Sequence, residues 1–160
     1  MKRIILCLFA LLTIAGCNQA RKERVFVGVV SPAAPGSTEP NLAVGADGEV
    51  YLTWVEQRGE GHALLFSVWH EDAWGPAREI AAGTDWFVNW ADFPSLNALA
   101  DGTLAAHWLA KVGEGTYAYG VYVSLSHDGG TTWGEPFLLT HDNTATGHGL
   151  VAPWTRKGGR

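Results

Sequence analysis

Residues 84–93, Thr84-Asp85-Trp86-Phe87-Val88-Asn89-Trp90-Ala91-Asp92-Phe93, place two carboxylic acids and an amide among four large aromatic rings. Indole faces stack on sugar rings, while carboxylates and amides fix hydroxyl groups, so Trp86, Asn89 and Trp90 are the candidate binding side chains for a glycan. Alternatively, Trp86, Phe87, Trp90 and Phe93 fill a gap between packed sheets; the residue types alone do not choose. Asp85 and Asp92 are the candidate catalytic acids. A carboxyl beside buried aromatics has its pKa raised, which suits proton donation to a leaving group. A solvated or turn-capping role stays open for each. A second polar stretch, His141-Asp142-Asn143-Thr144-Ala145-Thr146-Gly147-His148, offers His148 and Asp142 to the same pocket if the two stretches lie side by side. Glu56, Arg58, His62 and Lys111 sit in other loops and read as solvated charges. The six histidines show no paired ligand spacing and no cysteine cluster exists, so neither a metal site nor a cofactor is expected.

The elements that must position these residues repeat. Pro40-Asn41-Leu42, Asp47-Gly48, Trp54 and Gly59-Glu60-Gly61 recur as Pro94-Ser95-Leu96, Asp101-Gly102, Trp108 and Gly113-Glu114-Gly115, all at one offset. Each unit holds two strands joined by an Asp-Gly turn, 42–44 with 50–55 and 96–99 with 104–109. Two further strands follow in each, 64–69 with 77–81 and 119–125 with 136–139. Four antiparallel strands in about fifty residues make the unit of a propeller blade. The link 84–93 then joins one unit to the next. Trp54, Trp74, Trp108 and Trp133 recur with the repeat and read as packing residues.

Between the last two strands lies Ser126-His127-Asp128-Gly129-Gly130-Thr131-Thr132-Trp133. Ser126 and Asp128 can accept hydrogen bonds from turn amides, Gly130 can take a positive φ, Thr132 adds a hydroxyl, and Trp133 can fold back over the turn. The octet resembles the Asp-box, or BNR repeat, of sialidase-like β-propellers. That resemblance implies an all-β fold of four-stranded antiparallel blades, of which about two are present. It also makes the octet a structural staple on the face away from substrate. The matching turn of the first unit, Val68-Trp69-His70-Glu71-Asp72-Ala73-Trp74, is shorter and lacks the glycines.

The chain opens with Met1-Lys2-Arg3, then an apolar run over 4–14, then Ala15-Gly16-Cys17. This is similar to a bacterial lipoprotein signal peptide, being too short to span a bilayer and ending in small residues before a cysteine. The expected organisation is a signal peptide at 1–16, a lipidated Cys17 with a tether over 17–39, and a partial propeller over 40–160. Within that propeller the blades lie at about 40–83 and 94–140, with a third starting near 150. A strand at 25–30, from a β-prone run, could complete a distant blade. Asn18, in place of the aspartate that favours inner-membrane retention, points to the outer membrane of the cell envelope. Loss of 1–16 leaves nine basic against sixteen acidic side chains, a formal charge of −7. Such a chain is poorly suited to grip phosphate backbones, which argues against nucleic acid as a partner.

The resemblance implies a sialidase-like exo-glycosidase removing terminal sugars from glycans. The family's first arginine lies in an Arg-Ile-Pro segment, which this chain lacks; Arg58 and Arg78 do not match it. The chain therefore reads as an inactive fragment of such an enzyme. The alternative is a non-catalytic propeller that binds glycan or protein.

Overall fold

The structure, a computed structural model, describes residues 28–115 and 118–139. Cys17, Asp142, His148, the expected signal peptide and the expected third unit lie outside these residues. The described residues are all-β and contain no helix.

The first sheet is built from β1 (Thr38–Val44), β2 (Val50–Arg58) and β3 (Gly61–His70), followed by β4 (Ala73–Trp74) and β5 (Arg78–Gly83). Both β4 and β5 pair with β3, at opposite ends of it, so together they occupy one edge position. The expected strand at 77–81 is thus one part of a divided edge. Gly75-Pro76-Ala77 interrupts it, because proline has no N–H to give the ladder. The second sheet runs in the order β6 (Ser95–Ala98), β7 (Leu104–Lys111), β8 (Tyr119–Ser126) and β9 (Phe137–Leu138). Every pairing is antiparallel. The strand expected at 25–30 is corrected where it can be seen: residues 28–30 carry no strand, and Val29 and Val30 are exposed. β-propensity without a partner edge does not make a strand.

The repeat in the sequence is a repeat in hydrogen bonds. Gly45 N–H donates to Glu49 O (2.8 Å) and Gly48 N–H to Gly45 O (3.0 Å); Leu99 donates to Thr103 O and Gly102 to Leu99 O at the same distances. Asp47 Oδ1 accepts from Glu49 N–H (3.1 Å), as Asp101 Oδ1 does from Thr103 N–H (3.0 Å). Further along, Ser67 Oγ donates to Gly75 O (2.8 Å) and Ser124 Oγ to Gly134 O (2.6 Å), so the short first-unit turn keeps the base of the longer octet.

The sheets stack face to face, and alternation along each strand decides which face does so. Tyr51, Val55, Leu64, Phe66 and Ile80 of the first sheet meet Leu96, Leu104, Ala106 and Trp108 of the second. Trp54 is the repeat counterpart of Trp108, yet it points to the other face of its sheet, with Ala63 and Leu65 and with Ala33 packed against them. The two sheets therefore stack head to tail, using non-equivalent faces. The Asp-Gly turns and the octet gather at one end of the stack. The link, the β2–β3 turn and the β7–β8 connection gather at the other.

A buried polar chain crosses the second sheet. Asn97 Nδ2 donates to Ser95 Oγ (3.3 Å), Ser95 Oγ lies 3.1 Å from His107 Nδ1, and the imidazole also bonds the Phe93 main chain. Burial holds the His107 pKa below the usual 6.5. The neutral ring stabilises the fold fully above pH 6.5, and that stability is lost as pH falls below it, because the unfolded chain takes the proton first. The expected slope is up to about 1.4 kcal/mol per pH unit. The ring-proton resonances of His107 should titrate with a midpoint below pH 6.5; a midpoint at or above it would contradict the burial argument.

Candidate functional site

The link does not simply cross between the sheets. Phe87 N–H donates to Leu109 O (2.9 Å), Lys111 N–H to Asp85 O (2.7 Å), and Trp86 bridges Ala110. Residues 85–87 thus extend the edge of β7 beyond the short β6, and 88–94 loop out before β6 begins. Asn89 shapes that loop: its Oδ1 accepts from Ala91 N–H (2.8 Å) and Asp92 N–H (3.1 Å), an Asx-type turn. Its Nδ2 donates to Asp92 Oδ2 (3.3 Å), which the Tyr119 hydroxyl also reaches (3.3 Å). Asp92 is held by a side chain from the loop and another from the start of β8.

Glu39 completes this group and escaped the sequence reading. It lies on β1 at a register shift, has φ 53° and is 7% exposed. A β-bulge with a non-glycine residue in the left-handed region stores roughly 1–2 kcal/mol of strain. Burial pushes its carboxyl up to about 7; the Asn89 main-chain hydrogen bond opposes the rise and the Asp92 charge adds to it. Glu39 Oε2 is buried with no hydrogen-bond partner among the described residues. No local pattern marked Glu39, since it sits in a stretch without period and its partners lie about fifty residues away.

The candidate residues divide. Trp86 is buried and stacks on Trp108 (5.6 Å between centroids), closing the seam between sheets, whereas Phe87 stacks on Tyr119 (4.1 Å) in a cluster with Leu109 and Val121 on the other face of the second sheet. Trp90 is 87% exposed and Phe93 is also exposed. Asn89 and Asp92 come together, whereas Asp85 lines a separate cleft of 420 Å³ with Lys111, Tyr122 and Glu135. A larger cleft of 870 Å³ opens between His62, Phe87, Lys111 and Glu114 at the same end. Among the described residues no group of acids, histidines or cysteines is arranged to hold a metal ion.

At the opposite end the octet is a closed network. Gly130 N–H donates to Ser126 Oγ (2.8 Å), which donates to Asp128 Oδ1 (2.8 Å). Asp128 Oδ1 also accepts from Thr131 and Thr132 N–H (3.0 and 2.9 Å), and Oδ2 from Thr132 Oγ1 (2.6 Å). The Thr132 hydroxyl and N–H, with the Ser126 hydroxyl, hold the Asp128 pKa down to about 2. Trp133 packs edge-on to Phe66 of the first sheet (6.0 Å), and Arg78 lies over the same ring while donating to Gly129 O (3.0 Å). The Ser126 hydroxyl and the Asp128 carboxylate are engaged within the octet itself, and Trp133 and Gly129 tie it to the first sheet.

No protein-family model and no curated protein matches the chain. Among solved structures it is similar to the polysaccharide lyase Uly1, with 17% identity, TM-score 0.44, and 61% of this chain and 22% of that one covered. It is also similar to a protein of unknown function from Dyadobacter fermentans DSM 18053, with 21% identity, TM-score 0.47, and 71% and 40% covered. The chain thus spans well under half the length of either structure.

Proposed function

We propose that the two sheets are blades of a sialidase-like β-propeller lipoprotein of the outer membrane, and that the link end is its glycan-binding face. The observation that carries this reading is the Asn89–Asp92–Tyr119–Glu39 group beside the exposed Trp90 ring. Trp90 offers a face to stack on a sugar, and Asp92 offers a positioned acceptor for its hydroxyls. Glu39, buried behind them, is a positioning residue. In a hydrolytic full-length protein Asp92 is the group placed to exchange a proton with the glycosidic oxygen.

One observation favours binding without hydrolysis. Of the arginines among the described residues, Arg78 is engaged at the octet end and Arg58 is bonded to Glu56 (3.0 Å). Neither is placed beside Asp92 to hold a sugar carboxylate. The chain of 160 residues is therefore expected to bind glycan and not to cleave it.

Titration of oligosaccharides followed by isothermal calorimetry tests the site. Trp90→Ala should weaken binding about tenfold, roughly 1.4 kcal/mol, without altering the fold. Equal affinity in parent and variant would remove the link end from consideration. Release of sugar from a sialoside by the chain would overturn the non-hydrolytic reading.

A further inference from the structure

The cleft of 870 Å³ at the link end is built by both sheets. His62 stands on β3 at the same alternation as Leu64 and Phe66, so its ring points across the seam. Its Nδ1 is buried and has no hydrogen-bond partner among the described residues. An unpaired N–H in such a place costs more than a bare lone pair, so in the neutral ring the proton belongs on Nε2, which is left to donate into the cleft. Opposite His62, Trp86 and Phe87 line the cleft, and these two rings lie on opposite faces of the second sheet. The cleft therefore passes from the seam over the end of that sheet. There Phe87 stacks on Tyr119, whose hydroxyl bonds Asp92 (3.3 Å), and Val88 leads into the Asn89 loop that carries Trp90. One continuous wall joins His62 to Asp92 and Trp90.

The charges on this wall are mostly of one sign. Lys111 is the cation of the cleft, and it is shared with the neighbouring cleft that holds Asp85 and Glu135. Glu114 stands exposed on the rim beside it, and Asp92 lies at the far end. A ligand with a carboxylate or sulfate on each unit meets net repulsion here, while hydroxyl groups find acceptors in Asp92 and Glu114 and a donor in His62.

We infer that the link end takes a run of consecutive sugars from an uncharged polysaccharide, with one unit on Trp90 and Asp92 and the next in the cleft, where His62 Nε2–H donates to a sugar oxygen. The volume of 870 Å³ falls in the range of roughly 300–1,000 Å³ that holds ligands of drug size, which leaves room for more than one sugar ring. A single terminal sugar would fill one end of the wall and leave the other empty. His62 is thus a specificity residue for chain length. The inference rests on the glycan-binding reading and adds to it the length and charge of the ligand.

Calorimetric titration of the full chain with fragments of two to six sugars tests it, one panel cut from neutral glucan, mannan and xylan and the other from polygalacturonate. Affinity for at least one neutral series should rise about tenfold from the two-sugar to the five-sugar fragment, and the polygalacturonate fragments should bind about tenfold more weakly than neutral ones of equal length. His62→Ala should lower the five-sugar affinity about tenfold and so remove the rise with length, whereas Trp90→Ala lowers affinity at every length. His62→Gln, whose amide keeps a donor, should restore much of the rise. If alanine disturbs the circular dichroism spectrum, His62→Phe keeps a packed ring without the donor and should show the same loss. Glu114→Lys should bring the polygalacturonate fragments closer to the neutral ones. Affinity flat in length, a rise that survives in the His62 variants lacking a donor, or a preference for polygalacturonate overturns the inference, while a Trp90 effect on the short fragments would leave glycan binding in place. No affinity for any fragment overturns both.

Discussion

A Glu39→Gln chain is expected to be more stable than the parent at pH 8 and equal to it at pH 4. Glu39 is buried on a bulge with its carboxyl pushed up to about 7, against an ordinary value of 4.5. Between those values the unfolded chain releases the proton while the folded chain keeps it. Folded-state stability is therefore full below pH 4.5, falls as pH rises to about 7, and is level above that. The whole step corresponds to about 3 kcal/mol, a large share of a small domain's stability. An amide of the same shape never ionises and escapes the loss. Urea unfolding at the two pH values measures it; a variant less stable than the parent at pH 8 would mean that the charged carboxylate is favourably held. Since His107 acts with the opposite sign over an overlapping range, its acid limb is best read in the Glu39→Gln background. The same substitution tests positioning: if Glu39 only supports the loop, glycan affinity persists in Glu39→Gln and loses its pH dependence near 7.

Gly130→Ala is expected to cost roughly 2–5 kcal/mol, whereas Gly129→Ala costs about 1 kcal/mol. Both glycines have positive φ, 69° at Gly129 and 82° at Gly130, so both substitutions carry the strain of the left-handed region. They differ in surroundings. A Cβ at Gly129 meets nothing within 4 Å, but at Gly130 it would stand 2.4 Å from Phe66 Cζ. Phe66 is fully buried, stacks edge-on with Trp133 and has Arg78 over its face, so it cannot retreat. The excess at Gly130 is thus a cost of separating the sheets. Combining Gly130→Ala with Phe66→Leu should recover part of it in a double-mutant cycle. Equal losses at the two glycines would show that the octet touches nothing across the seam.

What could be read from the chain alone is what local chemistry repeats. The Asp-Gly turns recur at Asp47 and Asp101 because each aspartate caps its own turn within two residues. The octet was legible for the same reason: the bonds among Ser126, Asp128, Gly130 and Thr132 run between residues at most four apart. Glu39 was not legible, because its burial depends on a bulge in β1 and its hydrogen bond on Asn89. The aromatics of the link were ambiguous for a related reason. Trp86 and Trp90 are the same residue type four positions apart, and only the pairing of 85–87 with β7 turns the first into the seam and the second toward solvent. The divided edge of the first sheet also needed the structure: its turn takes positive φ at Glu71 and Asp72, where glycine is the usual occupant.

The order of strands has a consequence for synthesis. In each sheet the hydrogen bonds join strands that are near neighbours along the chain, and the first sheet is complete by Gly83. Loops this short close quickly, so a chain leaving the ribosome can form that sheet while the second is still being translated. For that interval Tyr51, Val55, Leu64 and Phe66 have nothing to pack against. The half-built protein is sticky on both sides at once, and a pause in translation just after the link would prolong the state in which nascent chains adhere to one another.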